Sequence, residues 1–398
     1  MSQSSGYHRL LKVLFVNHTG KVGGAEASLL TLLNALASLH SDKVELAIAA
    51  PEDGHLLKCA SAIGVRTIPT RRIKRLRRPR RANEIAITAT TLLCGLVESI
   101  RVLREISPHI VHCNSLQCGV YFSIPTVLMG IPMVWHCRDV LMPHLAAKIV
   151  GMRSNAIIAI SKSVAKVLSA HSLPEFKIHT IYNAVDTAQL EGAKEVDVRD
   201  FRTRCGVPEG GLLVGMVAHI VPWKRHDIFI KAASIISQQR DDVRFVIVGG
   251  DIFDEHELWL GYLMQLRSEL SLKEKLTFAG AQNDMAVVMN AIDILVHPTP
   301  MEPFGRAVAE AMAAGKAVVA INAFGPAELI SDGENGLLVS SPTPEEIAHA
   351  ILRLIDDASL RESVGRMARK FVAEHLSPQF HANSVLKLWI EVLGKSSF

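Results

Sequence analysis

The chain has 398 residues, 49% of them apolar and 21% charged, with a formal net charge of +4. That balance excludes a disordered, collagen-like or coiled-coil chain and leaves apolar material for two or three domains. The charge is unevenly spread: residues 1–186 hold 22 Lys and Arg against 11 Asp and Glu, whereas residues 187–398 hold 21 against 28. One run, Arg71-Arg-Ile-Lys-Arg-Leu-Arg-Arg-Pro-Arg-Arg81, carries eight cations and no acid.

In chain order, short apolar runs rich in β-branched residues alternate with segments of helical period. Val13–Asn17, Val44–Ala49, Arg66–Pro69, His109–Cys113, Met133–Cys137 and Ile157–Ile160 read as buried strands. Glu26–Leu39, Glu84–Ile106 and Lys162–Ala170 read as helices between them. The pattern restarts at Leu212–Val217 and continues through Phe245–Val248, Leu276–Phe278, Ile294–Val296, Val318–Ile321 and Leu337–Val339. Strands alternating with helices predict parallel sheets, here an α/β chain of two doubly wound domains. The boundary is expected in Asp186–Pro208, giving domains 1–186 and 187–375. Three helical segments, Pro344–Asp357, Leu360–His375 and Ser377–Leu393, then follow without a strand. The last, in residues 376–398, is expected to cross back to the first domain.

Six cysteines show neither CxxC spacing nor a small-domain disulfide pattern, so they read as reduced thiols. The apolar run Leu10–Val16 continues into a polar turn and lacks the features of a secretion signal. Ile85–Val97 falls short of the ~20 residues needed to span a bilayer and reads as part of a buried helix. A cytoplasmic enzyme is expected.

In open α/β sheets ligands bind beyond the carboxyl ends of the strands, so chemistry is sought in the loops there. The first is Asn17-His-Thr-Gly-Lys-Val-Gly23-Gly24-Ala-Glu26, where a glycine pair opens a helix whose N-terminus suits a phosphate. A structural turn is the plainer reading of that pair. The second is Ala218-His219-Ile-Val-Pro-Trp-Lys224-Arg225, which sets adjacent cations where a diphosphate could be neutralised. The third is His297-Pro-Thr-Pro-Met-Glu302-Pro-Phe304-Gly305, leading into a helix that contains Glu310. A carboxylate inside an Ala/Val/Met-rich helix is costly to bury without a partner.

Glu302-Pro-Phe-Gly305 with Glu310-Ala-Met-Ala-Ala-Gly315 resembles the E-x7-E motif of the retaining glycosyltransferases of family 4. Further matches follow in order along the chain: Gly23-Gly24-Ala-Glu26, Trp135-His136, Ile160-Ser161-Lys-Ser163, Asn183-Ala-Val-Asp186 and Phe324-Gly-Pro-Ala-Glu328. Asp332-Gly-Glu-Asn-Gly336-Leu-Leu-Val339 completes the set. The resemblance implies the GT-B fold, two Rossmann-like domains with an interdomain cleft. It also implies a hexosyltransferase that moves a sugar from a nucleotide-diphosphate donor with retention, by a front-face route and without metal or other cofactor.

By position, Lys224 would bind the diphosphate, Glu310 the ribose and Glu302 the donor sugar, with Phe304 and Gly305 offering backbone N–H groups. The resemblance counts Glu302, Lys224 and His136 as catalytic, and Gly23, Gly24, His219 and Arg225 as further donor contacts. A lone strand-end histidine is by default a hydrogen-bonded structural residue; the family match gives His136 an acceptor-side role, with His112 and Asp139 behind it. His219 stands where the family often has Arg, and Ala184 and Ala317 replace the usual Gly and Pro. The same fold also serves epimerases and hydrolases, and a binding scaffold without turnover is the rival outside enzymes.

The basic run has no aromatic residue, which argues against a nucleic-acid partner. Acceptors in the family are often glycans or lipid-linked. Arg71, Arg72, Lys74, Arg75, Arg77, Arg78, Arg80 and Arg81 are therefore expected to contact an anionic acceptor or membrane, making the enzyme peripheral on the inner face.

Overall fold

The computed structural model describes residues 10–76, 82–251 and 256–395. Two compact units divide the chain: Met1–Ala184 with Pro378–Phe398, and Val185–Ser377.

The first unit is built on seven parallel strands: β1 (Leu11–Val16), β2 (Val44–Pro51), β3 (Arg66–Thr70), β4 (Ile110–Cys113), β5 (Met133–Cys137), β6 (Ala156–Ala159) and β7 (Ile178–Thr180). Their order is β3-β2-β1-β4-β5-β6-β7. The stretch Val13–Val16 of β1 is apolar and buried on both faces because helices cover both faces of a parallel sheet. Helix Gly24–Leu39 shows how: Leu29, Leu32, Leu33 and Leu36, spaced as one helical stripe, are fully buried. They share a core with Val385, Leu386 and Trp389 of helix Pro378–Lys395. That last helix is tied down by His40, whose Nε2 donates to Asn383 Oδ1 at 2.8 Å.

The second unit has six parallel strands: β8 (Leu212–Val217), β9 (Val243–Val248), β10 (Leu276–Gly280), β11 (Ile294–His297), β12 (Ala317–Ile321) and β13 (Leu337–Val339). Their order is β10-β9-β8-β11-β12-β13. Phe229, Phe245, Ile247 and Ile351 are among the buried side chains of its separate core. Both units are thus Rossmann-like, as the GT-B reading requires. In each, strand order reverses once, between β1 and β4 and between β8 and β11. A ligand crevice is expected at the carboxyl ends of those pairs.

One expectation is corrected. Ile85–Val97 does lie in a helix, Ala82–Ile106, but is not buried: Ile85, Ile87, Leu93 and Val97 are 58–64% exposed. Only the second half packs down, through Ser99, Val102 and Leu103. The cause is length, since 25 residues make a helix of roughly 37 Å while the four residues of β4 span roughly 13 Å. The stretch 84–106 is, by length and composition, apolar enough to cross a membrane.

Candidate active site

In the second unit the two loops at the reversal point carry the residues singled out from sequence. After β8 the chain makes a 3-10 turn at Pro222–Lys224, with proline at its start, where a missing N–H costs nothing. Arg225 then takes a left-handed conformation (φ 60°) and caps helix His226–Ser237. This turn directs Lys224 at Glu302, and the two form a short ion pair with side chains only 17% and 12% exposed.

Glu302 has two further donors: His297 Nε2 at 3.1 Å on the same oxygen, and the Gly305 N–H at 3.3 Å on the other. An ionised carboxylate only accepts, so His297 carries its proton on Nε2. Burial opposes ionisation of Glu302, but Lys224 and His297 outweigh it and hold the carboxyl well below the usual range.

The loop's shape has identifiable causes. Gly305 is left-handed (φ +90°), and the extended-to-helix turn there begins helix Arg306–Ala313. Gly325 lies so close that a Cβ on it would sit 2.4 Å from the Phe304 Cα, and its N–H donates to Glu302 O at 2.9 Å. Phe304 is 2% exposed, so its ring anchors the loop in the core.

Glu310 is 7% exposed and accepts from Arg306 Nε at 2.6 Å, which supplies the partner its burial demands. Arg225 is forked by Asp227 (3.2 and 3.3 Å). His219 is half-buried on the same loop. The structure therefore gathers Lys224, Glu302, Gly305 and the unforeseen His297 into one cluster, while Glu310 is bonded to Arg306 of its own helix and Arg225 to Asp227 of the helix it caps.

In the first unit, Gly23 caps helix Gly24–Leu39, but its N–H already donates to Glu26 Oε2 at 3.1 Å. Asn17 Nδ2 donates to Glu26 Oε1 at 3.1 Å, and Asn114 Nδ2 to Asn17 Oδ1 at 2.9 Å. These two asparagines immediately follow β1 and β4, at this unit's own reversal point. Arg138, after β5, extends the network to Asn114 Oδ1 (2.8 Å) and Asn183 Oδ1 (2.7 Å). Asn17, Asn114 and Arg138 were not singled out for chemistry from sequence, where the available signal was a polar residue directly after a buried strand; Asn183 lies beyond β7 and entered only through its motif match.

His136 is placed differently from expectation. It is fully buried, with no surface to offer an acceptor, because the strand turns its ring toward helix Pro378–Lys395. Trp389 Nε1 donates to His112 Nδ1 at 3.2 Å, which leaves the His112 proton on Nε2, donated to His136 Nδ1 at 3.0 Å. Burial first, then Arg138, lowers the pKa of both rings well below the ordinary value. Of the basic run, Arg71, Arg72, Lys74 and Arg75 are exposed; Arg77, Arg78, Arg80 and Arg81 lie outside the described residues. Between them Ile73 is buried, and Tyr121 Oη donates to Lys74 O at 2.8 Å.

With this geometry in view, two family models match the chain: glycosyltransferase family 4 over residues 22–189 and glycosyl transferases group 1 over residues 197–371. An uncharacterized glycosyltransferase of Methanocaldococcus jannaschii is 30% identical over 247 residues, 60% of this chain; the match spans 61% of that relative's length. The lipopolysaccharide core biosynthesis mannosyltransferase LpcC of Rhizobium leguminosarum is 24% identical over 97% of this chain and 98% of its own. Among solved structures, the Anabaena protein HepE in complex with UDP-glucose superposes with a TM-score of 0.82 at 23% identity, over 96% of this chain and 100% of that one. At that identity the likeness speaks for the fold.

Proposed function

We infer that this chain, a glycosyltransferase of GT-B type with family 4 and group 1 domains, transfers a sugar with retention from a nucleotide-diphosphate donor to a glycan or lipid-linked acceptor in glycoconjugate biosynthesis. The observation that carries the reading is the Lys224–Glu302–His297 cluster at the reversal between β8 and β11. It sets a partly buried lysine beside a carboxylate that Lys224 and His297 hold in the ionised form. A departing diphosphate needs the first; the hydroxyls of a donor sugar need the second.

In this reading Lys224 is shared between Glu302 and the diphosphate, and its charge meets the negative charge that grows on the leaving oxygen. Glu302 accepts from sugar hydroxyls and Glu310 from the ribose diol. Helix Arg306–Ala313 points its N-terminus at phosphate. The leaving phosphate itself takes the acceptor proton, so no side chain is assigned as nucleophile and no resident cofactor is invoked. Gly23 and Gly24 remain donor-side candidates of the first unit. His136 acts there as a positioning group for Arg138. The cations of the basic run attract an anionic acceptor or surface.

The test is a panel of sugar nucleotides, following nucleotide-diphosphate release with and without glycan or lipid-linked acceptors. Acceptor-dependent release with a product of unchanged anomeric configuration supports the reading. Inverted product overturns retention, release without acceptor points to a hydrolase, and binding without turnover across the panel points to a scaffold.

A further inference from the structure

Twelve of the twenty-five exposed large apolar side chains among the described residues fall between Ile85 and Met152. They lie on helices Ala82–Ile106, Leu116–Leu128 and His144–Arg153 and the short segments after β5 and the second helix; the three helices pack side by side in that order. The first contributes Ile85, Ile87, Leu93 and Val97. The second adds Leu128 at 77% exposure and the third Leu145 at 70%. Scattered single apolar residues on a surface need no explanation, but a contiguous concentration does.

The charges on this face are as one-sided as its apolar groups. No charged residue occurs between Glu84 and Glu98, and none in helix Leu116–Leu128. Glu98 is buried and bonded to Arg101, which also holds Glu105. Helix His144–Arg153 carries Lys148 and Arg153, both exposed, and no acid; Asp139, in the preceding loop, is the one acid from 106 to 152. The basic run leads directly into helix Ala82–Ile106, and its described part is bonded to helix Leu116–Leu128 through Tyr121 and Gln117. Arg71 and Arg72 stay exposed.

We propose that this helix layer is a membrane-docking face, which seats Ile87, Leu93, Val97 and Leu145 in the interface of an anionic bilayer while Arg71, Arg72 and Lys148 meet its headgroups. The charge pattern selects the occupant. A two-fold dimer would bring each patch against itself, setting cations against cations. An anionic lipid surface offers the opposite sign and an apolar layer beneath it. Lys148 lies between Leu145 and Met152 on the same exposed stripe, where a long stem can follow the apolar surface and keep its charge in the headgroups. The proposal goes beyond the sugar chemistry above, which used charge alone, and its failure would leave the donor assignments standing.

The full chain is sedimented with vesicles of phosphatidylcholine alone and of two parts phosphatidylcholine to one part phosphatidylglycerol. Binding to the anionic vesicles is expected to be at least roughly tenfold stronger, and to weaken without vanishing between about 0.1 M and about 0.5 M salt. Ile87→Glu with Leu93→Glu, and separately Leu145→Glu, are expected to remove the salt-resistant part, with melting temperature and light scattering unchanged. Leu145→Trp gives a second readout, a new fluorescence quenched by brominated lipid. No vesicle binding by the parent chain overturns the proposal, as does binding indifferent to these variants. Self-association of the parent chain that the same variants abolish also overturns it, in favour of a second copy.

Discussion

Lys224 and Glu302 are unequal partners. Glu302 keeps His297 and the Gly305 N–H if the lysine is lost, but its buried charge then loses the ammonium that faces it. Lys224→Ala is therefore expected to lower stability by roughly 2 kcal/mol and turnover by at least roughly tenfold, about 1.4 kcal/mol of transition-state stabilisation. Urea titration reads the first and steady-state kinetics the second; unchanged kinetics would refute the diphosphate role. Glu310→Ala should cost a comparable factor in turnover and leave Arg306 without its carboxylate. His381 supplies a pH prediction. It is buried beside His136 and Arg138, and burial first, then Arg138, pushes its pKa down to about 3. Below about pH 6.5 the unfolded chain binds a proton that this folded imidazole refuses, so its contribution to stability is present above that pH and lost as pH falls toward 3. Each such histidine contributes a slope of up to about 1.4 kcal/mol per pH unit. The melting temperature should fall between pH 7 and 5, and His381→Phe should flatten that fall; an identical slope in the variant would contradict it.

Elements carry the site through close backbone approaches. A methyl group at Gly325 would meet the Phe304 Cα at 2.4 Å, and backbone cannot yield as a side-chain tip can. Gly325→Ala should shift the loop from Glu302 to Gly305, lowering turnover while far-ultraviolet circular dichroism stays unchanged. Trp389→Ala removes a fully buried ring and the donor on His112 Nδ1, with an expected loss of about 3–5 kcal/mol in urea unfolding. Legibility in the sequence followed the same physics. Strands β2 and β9 stood out because their stretches Leu46–Ala50 and Phe245–Val248, buried on both faces, are unbroken apolar runs. Helix Leu116–Leu128 did not, because it is apolar nearly all round and holds Pro125, so no helical period shows. Lys224 and Glu302 were visible because motif spacing marks them. Asn17, Asn114 and Arg138 were not, since their meeting depends on which strands are neighbours rather than on any distance along the chain. The exposed half of helix Ala82–Ile106 was misread because composition reports apolarity, not the length of the sheet beneath it.

At the scale of the whole molecule, the two units are unlike in connectivity. The second is one continuous segment, Val185–Ser377, whereas the first needs both ends of the chain. A chain ending at Ser377 should keep the second core and lose protection in the first. Hydrogen exchange would show fast amides in β1, β4 and β5 beside slow ones in β8, β9 and β11; uniform protection would contradict the shared core of Trp389, Leu33 and Phe15. The arrangement also reverses the usual order of events on the ribosome. Domains generally fold as they emerge, N-terminal first. Here the first sheet is synthesised first but waits, one face uncovered and its buried histidine chain open, until helix Pro378–Lys395 clears the exit tunnel. The continuous unit can finish meanwhile. The half begun first is completed after the other, and the nascent chain carries an unfinished apolar surface until helix Pro378–Lys395 arrives.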